Sequence, residues 1–146
     1  MSQYNLDRIF KPRRVAVVGA SESAGSIGNA LMKNLIEGGF QGKLLPVNHK
    51  YHSVHGMSAV GSVSALDAGV DLAVIATPIH TVPEIVRACV EKKIAGAIVI
   101  SAGGKEVGEK GREIEERIRA TAHAGGLRIV GPNCMGIIRP GANLNA

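Results

Sequence analysis

The stretch that decides the fold covers residues 15–28 and reads VAVVGASESAGSIG. Its first four residues are an unbroken apolar run, which predicts a strand buried on both faces. Gly19 lets the backbone turn sharply directly after that strand. Further along, Ser26 is a suitable N-cap for a helix, and Gly38-Gly39 is a suitable end for it. A strand, a loop of small residues and a helix in this order predict the first unit of a Rossmann-like domain.

The same alternation of strand and helix continues along the chain. Thr81 and Glu84 have the spacing of a capping box, which predicts that a helix begins there. A charged segment with inward apolar positions predicts another helix over residues 109–124. Four more apolar runs predict strands, at residues 44–47, 71–76, 97–100 and 128–130. The fold class that follows is α/β: a Rossmann-like, doubly wound, mainly parallel sheet in a single domain over residues 1–146.

Three segments lie outside this regular alternation. Residues 1–13 contain one helical turn of apolar residues, which Pro12 ends. A short edge strand is expected near residues 57–60. Residues 137–146 show no closing element, so we expect the chain to be the N-terminal piece of a longer protein.

Composition and charge narrow the classes of partner. The 146 residues carry a formal net charge of +5, with basic residues in runs no longer than two and only 3% aromatic residues. Scattered cations without aromatic stacking groups disfavour nucleic acid as a partner. A basic solvated surface and a polyanionic ligand both remain open. No apolar run is long enough for a membrane span, so no membrane partner is expected.

The two cysteines, Cys89 and Cys134, fit no metal-ligand spacing, and no metal site is expected. Cys89 lies on the apolar face of a predicted helix, which indicates a core thiol. Cys134 is interpreted as a loop contact or a packing thiol. Because no signal peptide is visible, the sequence predicts a cytoplasmic protein with reduced thiols.

Each of the five predicted strands is followed by a loop, at residues 19–28, 48–50, 77–81, 101–104 and 131–136. In an open α/β sheet, ligands bind outside the carboxyl ends of the strands, so these loops are expected to form one ligand edge. Their small residues also fit ordinary turns, and that interpretation stays open. The first loop can bring a phosphate to a helix N-terminus, with hydroxyl groups from Ser21, Ser23 and Ser26.

The residues after the second strand argue against an NAD site. Enzymes that use NAD usually carry an acidic residue there and a G-x-G-x-x-G loop before the first helix. This chain has Asn48-His49-Lys50 at that position, and the glycines of its first loop are spaced more widely. Lys50 suits a phosphate better than a ribose diol, either the 2′-phosphate of NADP or the 3′-phosphate of coenzyme A (CoA). An ordinary surface lysine stays the alternative.

Five segments together resemble a known family. They are residues 17–21 (VVGAS), 46–50 (PVNHK), 71–78 (DLAVIATP), 100–106 (ISAGGKE) and 131–136 (GPNCMG), of which the last is the most specific. Their order and spacing resemble the CoA-binding domain of NDP-forming acyl-CoA synthetases. That family includes ADP-forming acetyl-CoA synthetase, the α subunit of succinyl-CoA ligase, and protein lysine acetyltransferases that carry the same module. The resemblance runs from about residue 6 to residue 141.

The resemblance implies a set of residues that contact CoA or acyl-CoA. It implies that the first loop and the helix start hold the CoA phosphates, through Gly19, Ala20, Ser21, Ser23, Gly25, Ser26 and Ile27. It implies that Lys50, next to Asn48, lies by the adenosine end. It implies that the pantetheine path is lined by Thr77, Pro78, Ile100, Ser101 and Ala102, and that Asn133 and Gly136 shape the floor near the thiol. At the position of His49 the family usually has proline.

The resemblance also implies an activity for a full-length protein, which would join an acid to CoA with ATP and release ADP and phosphate. That chemistry uses ATP or another NTP with Mg, and it passes through a phosphohistidine on a second domain. No residue here matches the motif of that histidine, so no catalytic residue is expected in this segment. The remaining synthetase domains or subunit, or a fused acetyltransferase domain, would be its partners. A stand-alone regulatory CoA-binding protein and an NAD(P)-binding oxidoreductase domain are the alternatives.

Overall fold

The computed structural model describes residues 4–146, and a five-stranded sheet forms its centre. In chain order the strands are β1 (Arg14–Val18), β2 (Lys43–Val47), β3 (Ser53–Val54), β4 (Met57–Ser58), β5 (Leu72–Ile75), β6 (Gly96–Val99), β7 (Arg128–Val130), β8 (Ile138–Arg139) and β9 (Leu144–Asn145). The central sheet has the order β2-β1-β5-β6-β7, and every neighbouring pair is parallel. The predicted α/β fold class is confirmed, and the five predicted strands form this sheet.

Helices cover both faces of the sheet. They are α1 (Tyr4–Phe10), α2 (Ile27–Glu37), α3 (Val82–Glu91) and α4 (Glu109–Ala124). On β1, Val15 and Val17 pack on the side of α1 and α2, whereas Ala16 and Val18 pack on the side of α3 and α4. A strand buried on both faces needs apolar residues at every position, which is why unbroken apolar runs predicted these strands.

The strand order opens a crevice at the ligand edge. From β1 the chain moves to β2 on one side, and it then crosses to β5 on the other side of β1. Connections that leave the carboxyl ends of neighbouring strands in opposite directions separate from each other, and ligands bind in the gap between them. In this fold the gap lies at the ends of β1 and β5.

The two predicted helix caps have different outcomes. Ser26 Oγ accepts a hydrogen bond from the Asn29 N–H at 3.1 Å, so its prediction as the N-cap of α2 is confirmed. The predicted capping box at Thr81 is wrong, because a 3-10 turn (Ile79–Thr81) already precedes α3 and Thr81 has helical dihedral angles. The Thr81 hydroxyl instead donates to the carbonyl oxygen of Pro78 at 2.6 Å.

The edge strand expected near residues 57–60 is also corrected. β4 pairs antiparallel with β3 in a separate hairpin and does not extend the central sheet. The reason is a tight turn at His55-Gly56, whose φ angles of 48° and 73° are both left-handed. Further along, Val60 makes an isolated parallel bridge to Val47 at the end of β2.

The last ten residues are folded, contrary to the prediction that they contain no closing element. β8 and β9 pair antiparallel. Leu144 and Ala146 are only 1% and 5% exposed and lie in the core on the side of α2. Each of these strands has two residues, which is too short for a period of two to show in the sequence.

Asp71 ties α1 to the sheet at the edge opposite the ligand loops. Its Oδ1 accepts from Arg8 Nε at 2.8 Å, and its Oδ2 accepts from the backbone N–H groups of Arg13 and Arg14 at 2.9 and 3.2 Å. Partial burial raises the pKa of Asp71, but the hydrogen bonds outweigh burial and hold that pKa below its ordinary value.

The helical turn predicted before Pro12 is observed as α1. Residues 1–3 of that predicted segment lie outside the described residues.

Cys89 is fully buried on α3, so its prediction as a core thiol is confirmed, and burial raises the pKa of this thiol to about 12.

Among residues 4–146, no helix combines the length and the apolar character that crossing a membrane requires. The same part of the chain brings together no group of three or more His, Cys, Asp or Glu side chains that could hold a metal ion.

Candidate functional site

The five predicted ligand loops lie at one edge of the molecule, because all five strands of the central sheet run in the same direction. Direct hydrogen bonds connect the first two loops to each other and, separately, the last three. The two groups meet where Gly19 packs against the end of β5. The site is therefore a continuous row of loops, of which the first three surround the crevice and the last two extend it along the edge.

The first loop connects β1 to α2 and packs closely against the start of that helix. Gly19 has a left-handed φ of 94°, and a Cβ atom there would lie 3.0 Å from the carbonyl oxygen of Ala76. A Cβ atom on Gly28, in the first turn of α2, would lie only 1.9 Å from the carbonyl oxygen of Gly19. The missing side chain of Gly28 lets the start of α2 pack directly on the loop, and that of Gly19 lets the loop pack against the end of β5. This contact gives the loop the form of an anion cradle at a helix N-terminus.

The serines predicted in this loop have different environments. Ser21 is buried, and its Oγ accepts a hydrogen bond from the Ser23 N–H at 2.9 Å. Ser23 and Gly25 are exposed, Ser26 caps α2, and Ile27 is 53% exposed. Ser21 therefore holds the shape of the loop, while Ser23 lies on the open side.

Asn48 joins the loops that follow β1 and β2. Its Nδ2 donates to the carbonyl oxygen of Ala20 at 2.8 Å, and its Oδ1 accepts from the Lys50 N–H at 2.8 Å. Both ends of the Asn48 side chain are thus engaged by the protein. Lys50 is exposed beside the first loop, so its ammonium group is accessible at the ligand edge.

Ser101 joins the loops that follow β5, β6 and β7. Its Oγ donates to the carbonyl oxygen of Thr77 at 2.6 Å, and its own carbonyl accepts from the Asn133 N–H at 3.0 Å. Cys134 Sγ contacts the carbonyl oxygen of Val99 at 3.3 Å. Three loops are thus connected through a serine that is itself only 6% exposed.

The remaining predicted residues lie around this connection. Ile100 is half-buried and Ala102 is exposed, both next to Ser101. Gly136 has a left-handed φ of 90°, and a Cβ atom there would lie 2.1 Å from the carbonyl oxygen of Ala146. The C-terminal end of the chain therefore packs against the loop after β7, and no pattern in the sequence predicts this contact.

A cavity of about 680 Å³ occupies the crevice at the ends of β1, β2 and β5. Of the predicted residues it is lined by Gly19, Asn48, Thr77 and Pro78. The other predicted residues do not line it and lie on the loops to either side. Sequence reasoning missed its apolar wall, which includes Val63, Ile85 and Ala88, and three polar lining residues, Ser62, Ser64 and Glu84. His80, in the predicted loop 77–81, also lines the cavity. Ile85 belonged to the predicted apolar face of α3, which was the available signal for one part of this wall.

The β3–β4 hairpin is a second missed part of the edge. The His55 N–H donates to the Glu22 carboxylate in the first loop, and His55 Nε2 lies 2.9 Å from Oδ1 of Asn29 on α2. A hollow of about 220 Å³ remains between hairpin and loop, lined by Glu22, Ser23, Tyr51, Ser53 and Val54. The hairpin therefore packs against the first loop at residues that do not line the large cavity.

Comparison with known proteins agrees with this geometry. A family model described as a CoA binding domain matches residues 13–140. The chain belongs to the CoA-binding domain family. The resemblance identified in the sequence is thereby confirmed, and the matched range contains all five loops of the ligand edge.

Two relatives of this CoA-binding domain are ADP-forming acetate–CoA ligases. The acetate–CoA ligase (ADP-forming) of Methanocaldococcus jannaschii is 42% identical over 143 residues, which are 98% of this chain and 20% of that protein. The α subunit of acetate–CoA ligase (ADP-forming) I of Pyrococcus furiosus is 40% identical over 146 residues, which cover 97% of this chain and 32% of that subunit. The chain thus spans a fifth to a third of these relatives.

A solved structure shows the same fold. The dinucleotide forming acetyl-coenzyme A synthetase 1 of Ca. Korarchaeum cryptofilum, in complex with phosphate and ADP, superimposes with a TM-score of 0.91 and is 38% identical. The match covers 97% of this chain and 30% of that one. The doubly wound architecture of this CoA-binding domain is therefore that of a domain within a larger synthetase.

Proposed function

We propose that this domain binds CoA or acyl-CoA along its ligand edge, as the N-terminal CoA-binding domain of an NDP-forming acyl-CoA synthetase. The observation that carries the proposal is the convergence of three of the five loops on a cavity of about 680 Å³, beside a close glycine contact at the start of α2. Membership of the CoA-binding domain family supports the choice of ligand.

The diphosphate of CoA fits the first loop. The N-terminal amide groups of a helix have no partners within the helix and attract anions. Because Gly28 rests on Gly19 without side chains between them, a phosphate can approach these amides closely. The exposed Ser23 can donate its hydroxyl group on the open side of the same loop.

The adenosine end fits the crevice, with its 3′-phosphate at Lys50. The apolar wall of the cavity can cover an adenine ring. Lys50 is exposed and follows the lining residues Asn48 and His49, so its ammonium group can pair with a phosphate that extends from the cavity. Position 48 carries an amide and not the carboxylate with which NAD enzymes usually bind the ribose diol. This arrangement favours CoA over NAD.

Pantetheine then extends along the second half of the edge. Thr77, Ser101 and Asn133 are connected by hydrogen bonds in this order, and they lead from the crevice toward Gly136. Pantetheine is a long chain with two amides, and a path with backbone groups and small side chains suits it. The thiol would lie near Asn133 and Gly136.

The whole protein is then an acid–thiol ligase that uses ATP or another NTP with Mg. The named relatives are ADP-forming ligases of which this chain matches a fifth to a third, so the remaining domains or subunit would supply the phosphohistidine. This domain alone would bind CoA in the cytoplasm without catalysing ligation. A fusion with an acetyltransferase domain would use the same site.

Isothermal titration calorimetry with CoA, dephospho-CoA and NADPH tests the proposal. A hydrogen bond to a charged group contributes about 1.5–3 kcal/mol, so Lys50→Ala is expected to raise the Kd for CoA roughly 10- to 100-fold. The Kd for dephospho-CoA, which lacks the 3′-phosphate, is expected to stay unchanged. The control variant Lys33→Ala removes an exposed lysine on α2 and is expected to leave both values unchanged.

Two results would contradict this proposal. Binding of NADPH without binding of CoA would refute the ligand. Equal losses of CoA and dephospho-CoA affinity in Lys50→Ala would refute the placement of the 3′-phosphate at this residue.

A further inference from the structure

We propose that Glu115 on α4 is a positioning residue for the pantetheine half of the site, an inference that rests on the proposed function. It holds the loop after β6 in the conformation that presents Ser101 and its neighbours to the ligand. Glu115 does not itself touch CoA.

The side chain of Glu115 is largely buried against the protein. Its side chain is only 12% exposed, although α4 is strongly charged and most of its carboxylates are exposed. Its Oε2 accepts a hydrogen bond from the Lys105 N–H at 3.0 Å. Its Oε1 lies 3.6 Å from Nη2 of the exposed Arg119. The ion pair therefore uses Oε1, and Oε2 stays hydrogen-bonded to the loop.

Glu106 binds the same loop from within. Its Oε1 accepts from the N–H groups of Gly103 and Gly104, at 2.6 and 3.0 Å. Three consecutive amides, those of residues 103–105, thus point at two carboxylates. The contact of Glu106 is local, because it lies two or three residues from its donors, whereas Glu115 connects the loop to a helix ten residues further along the chain.

A close backbone contact holds α4 against this loop as well. A Cβ atom on Gly111 would lie 1.9 Å from the carbonyl oxygen of Gly104 and 2.7 Å from that of Gly103. Residues four apart lie on the same side of a helix, so Gly111 and Glu115 both meet the loop from one face of α4. The helix therefore fixes the loop at two successive turns.

The loop after β6 is hydrogen-bonded to the other loops of the pantetheine half of the site, so its position affects theirs. The loop begins at Ser101, which bonds to Thr77 and accepts from Asn133. The other half is held separately, since Asn48 connects the loop after β2 to Ala20 in the first loop. A disturbance at Glu115 is expected to reach the pantetheine path and to spare the phosphate cradle.

The experiment compares CoA with adenosine 3′-phosphate 5′-diphosphate, a fragment that lacks pantetheine. Calorimetric Kd values are measured for wild type, Glu115→Ala, Glu115→Asp, Glu115→Gln and the control Glu116→Ala, which removes an exposed carboxylate from the same helix. The alanine and aspartate variants are expected to raise the Kd for CoA about tenfold, because neither reaches the Lys105 N–H. The glutamine variant retains an acceptor oxygen and is expected to bind CoA like wild type.

The fragment separates positioning from general damage. Its Kd is expected to stay unchanged in every variant, whereas a loss of overall folding would weaken both ligands. Unchanged CoA affinity in the alanine and aspartate variants, or equal losses for CoA and the fragment, would overturn the inference. If the alanine variant does not fold, the aspartate variant, which keeps the charge, decides by the same criteria. Failure of the wild type to bind CoA would instead refute the proposed function, and the inference with it.

Discussion

Replacing Gly28 with alanine tests the glycine cradle most directly. The new Cβ would lie 1.9 Å from the carbonyl oxygen of Gly19, where ordinary contacts begin at 3.4 Å. The start of α2 must therefore withdraw by about 1.5 Å. Overpacking of this kind costs about 3 kcal/mol when backbone atoms oppose it, which lowers Tm by roughly 6–12 °C in a domain of this size.

The same displacement removes the helix amides from hydrogen-bond distance of a bound phosphate. Loss of one such charged hydrogen bond weakens CoA binding roughly 10- to 100-fold. Thermal unfolding by circular dichroism and calorimetric titration with CoA measure the two effects. Gly141→Ala is the control, because a Cβ atom there meets nothing within 4 Å and its φ is not left-handed. A Gly28→Ala protein with the Tm and CoA affinity of wild type would show that α2 does not rest on this loop as described.

Three further perturbations test local features. Ser26→Ala removes a cap and should cost about 1 kcal/mol, or roughly 2–4 °C in Tm, whereas Thr81→Ala should cost less because Thr81 caps nothing; equal losses would argue against the observed helix starts. The pKa of Asp71 is lowered by folding, so its stabilisation is present above the unfolded-state pKa and is lost as pH falls through the folded-state pKa. Urea titrations should therefore show Asp71→Asn less stable than wild type at pH 7, with the difference shrinking below about pH 4; a difference that is independent of pH would contradict this role. Ellman's reagent should label half-buried Cys134 in the native protein and buried Cys89 only after denaturation, and rapid native labelling of both thiols would contradict the buried position of Cys89.

The sheet could be predicted because its residues are buried on both faces. Val15, Val17 and their neighbours form a short apolar run rich in β-branched residues and bounded by Gly19, which is typical of a strand buried on both faces. The C-terminal hairpin could not be predicted, since its two-residue strands have no period and Leu144 is buried only by the rest of the fold. At Thr81 the residue pattern was correct for a cap, but the preceding 3-10 turn had already placed this residue inside a helical conformation.

The position of the five loops at one edge could also be predicted, because the carboxyl ends of parallel strands lie at the same edge of a sheet. The cavity wall could not, since Val63 and Ala88 come from elements that are distant from the strand ends in sequence. The contact of Glu115 with the loop after β6 was hidden for a different reason. On a charged helix such as α4, a glutamate that turns inward has the same sequence signature as one that faces solvent.

The connections through Asn48 and Ser101 have a thermodynamic consequence for any ligand of this edge. Loops that are joined to each other before a ligand arrives have little freedom left to lose, so association requires less ordering of the protein. The entropy that the protein loses on binding should then come mainly from exposed side chains such as Lys50. Part of the affinity of the site would thus be set in advance by the hydrogen bonds of two polar side chains to the protein.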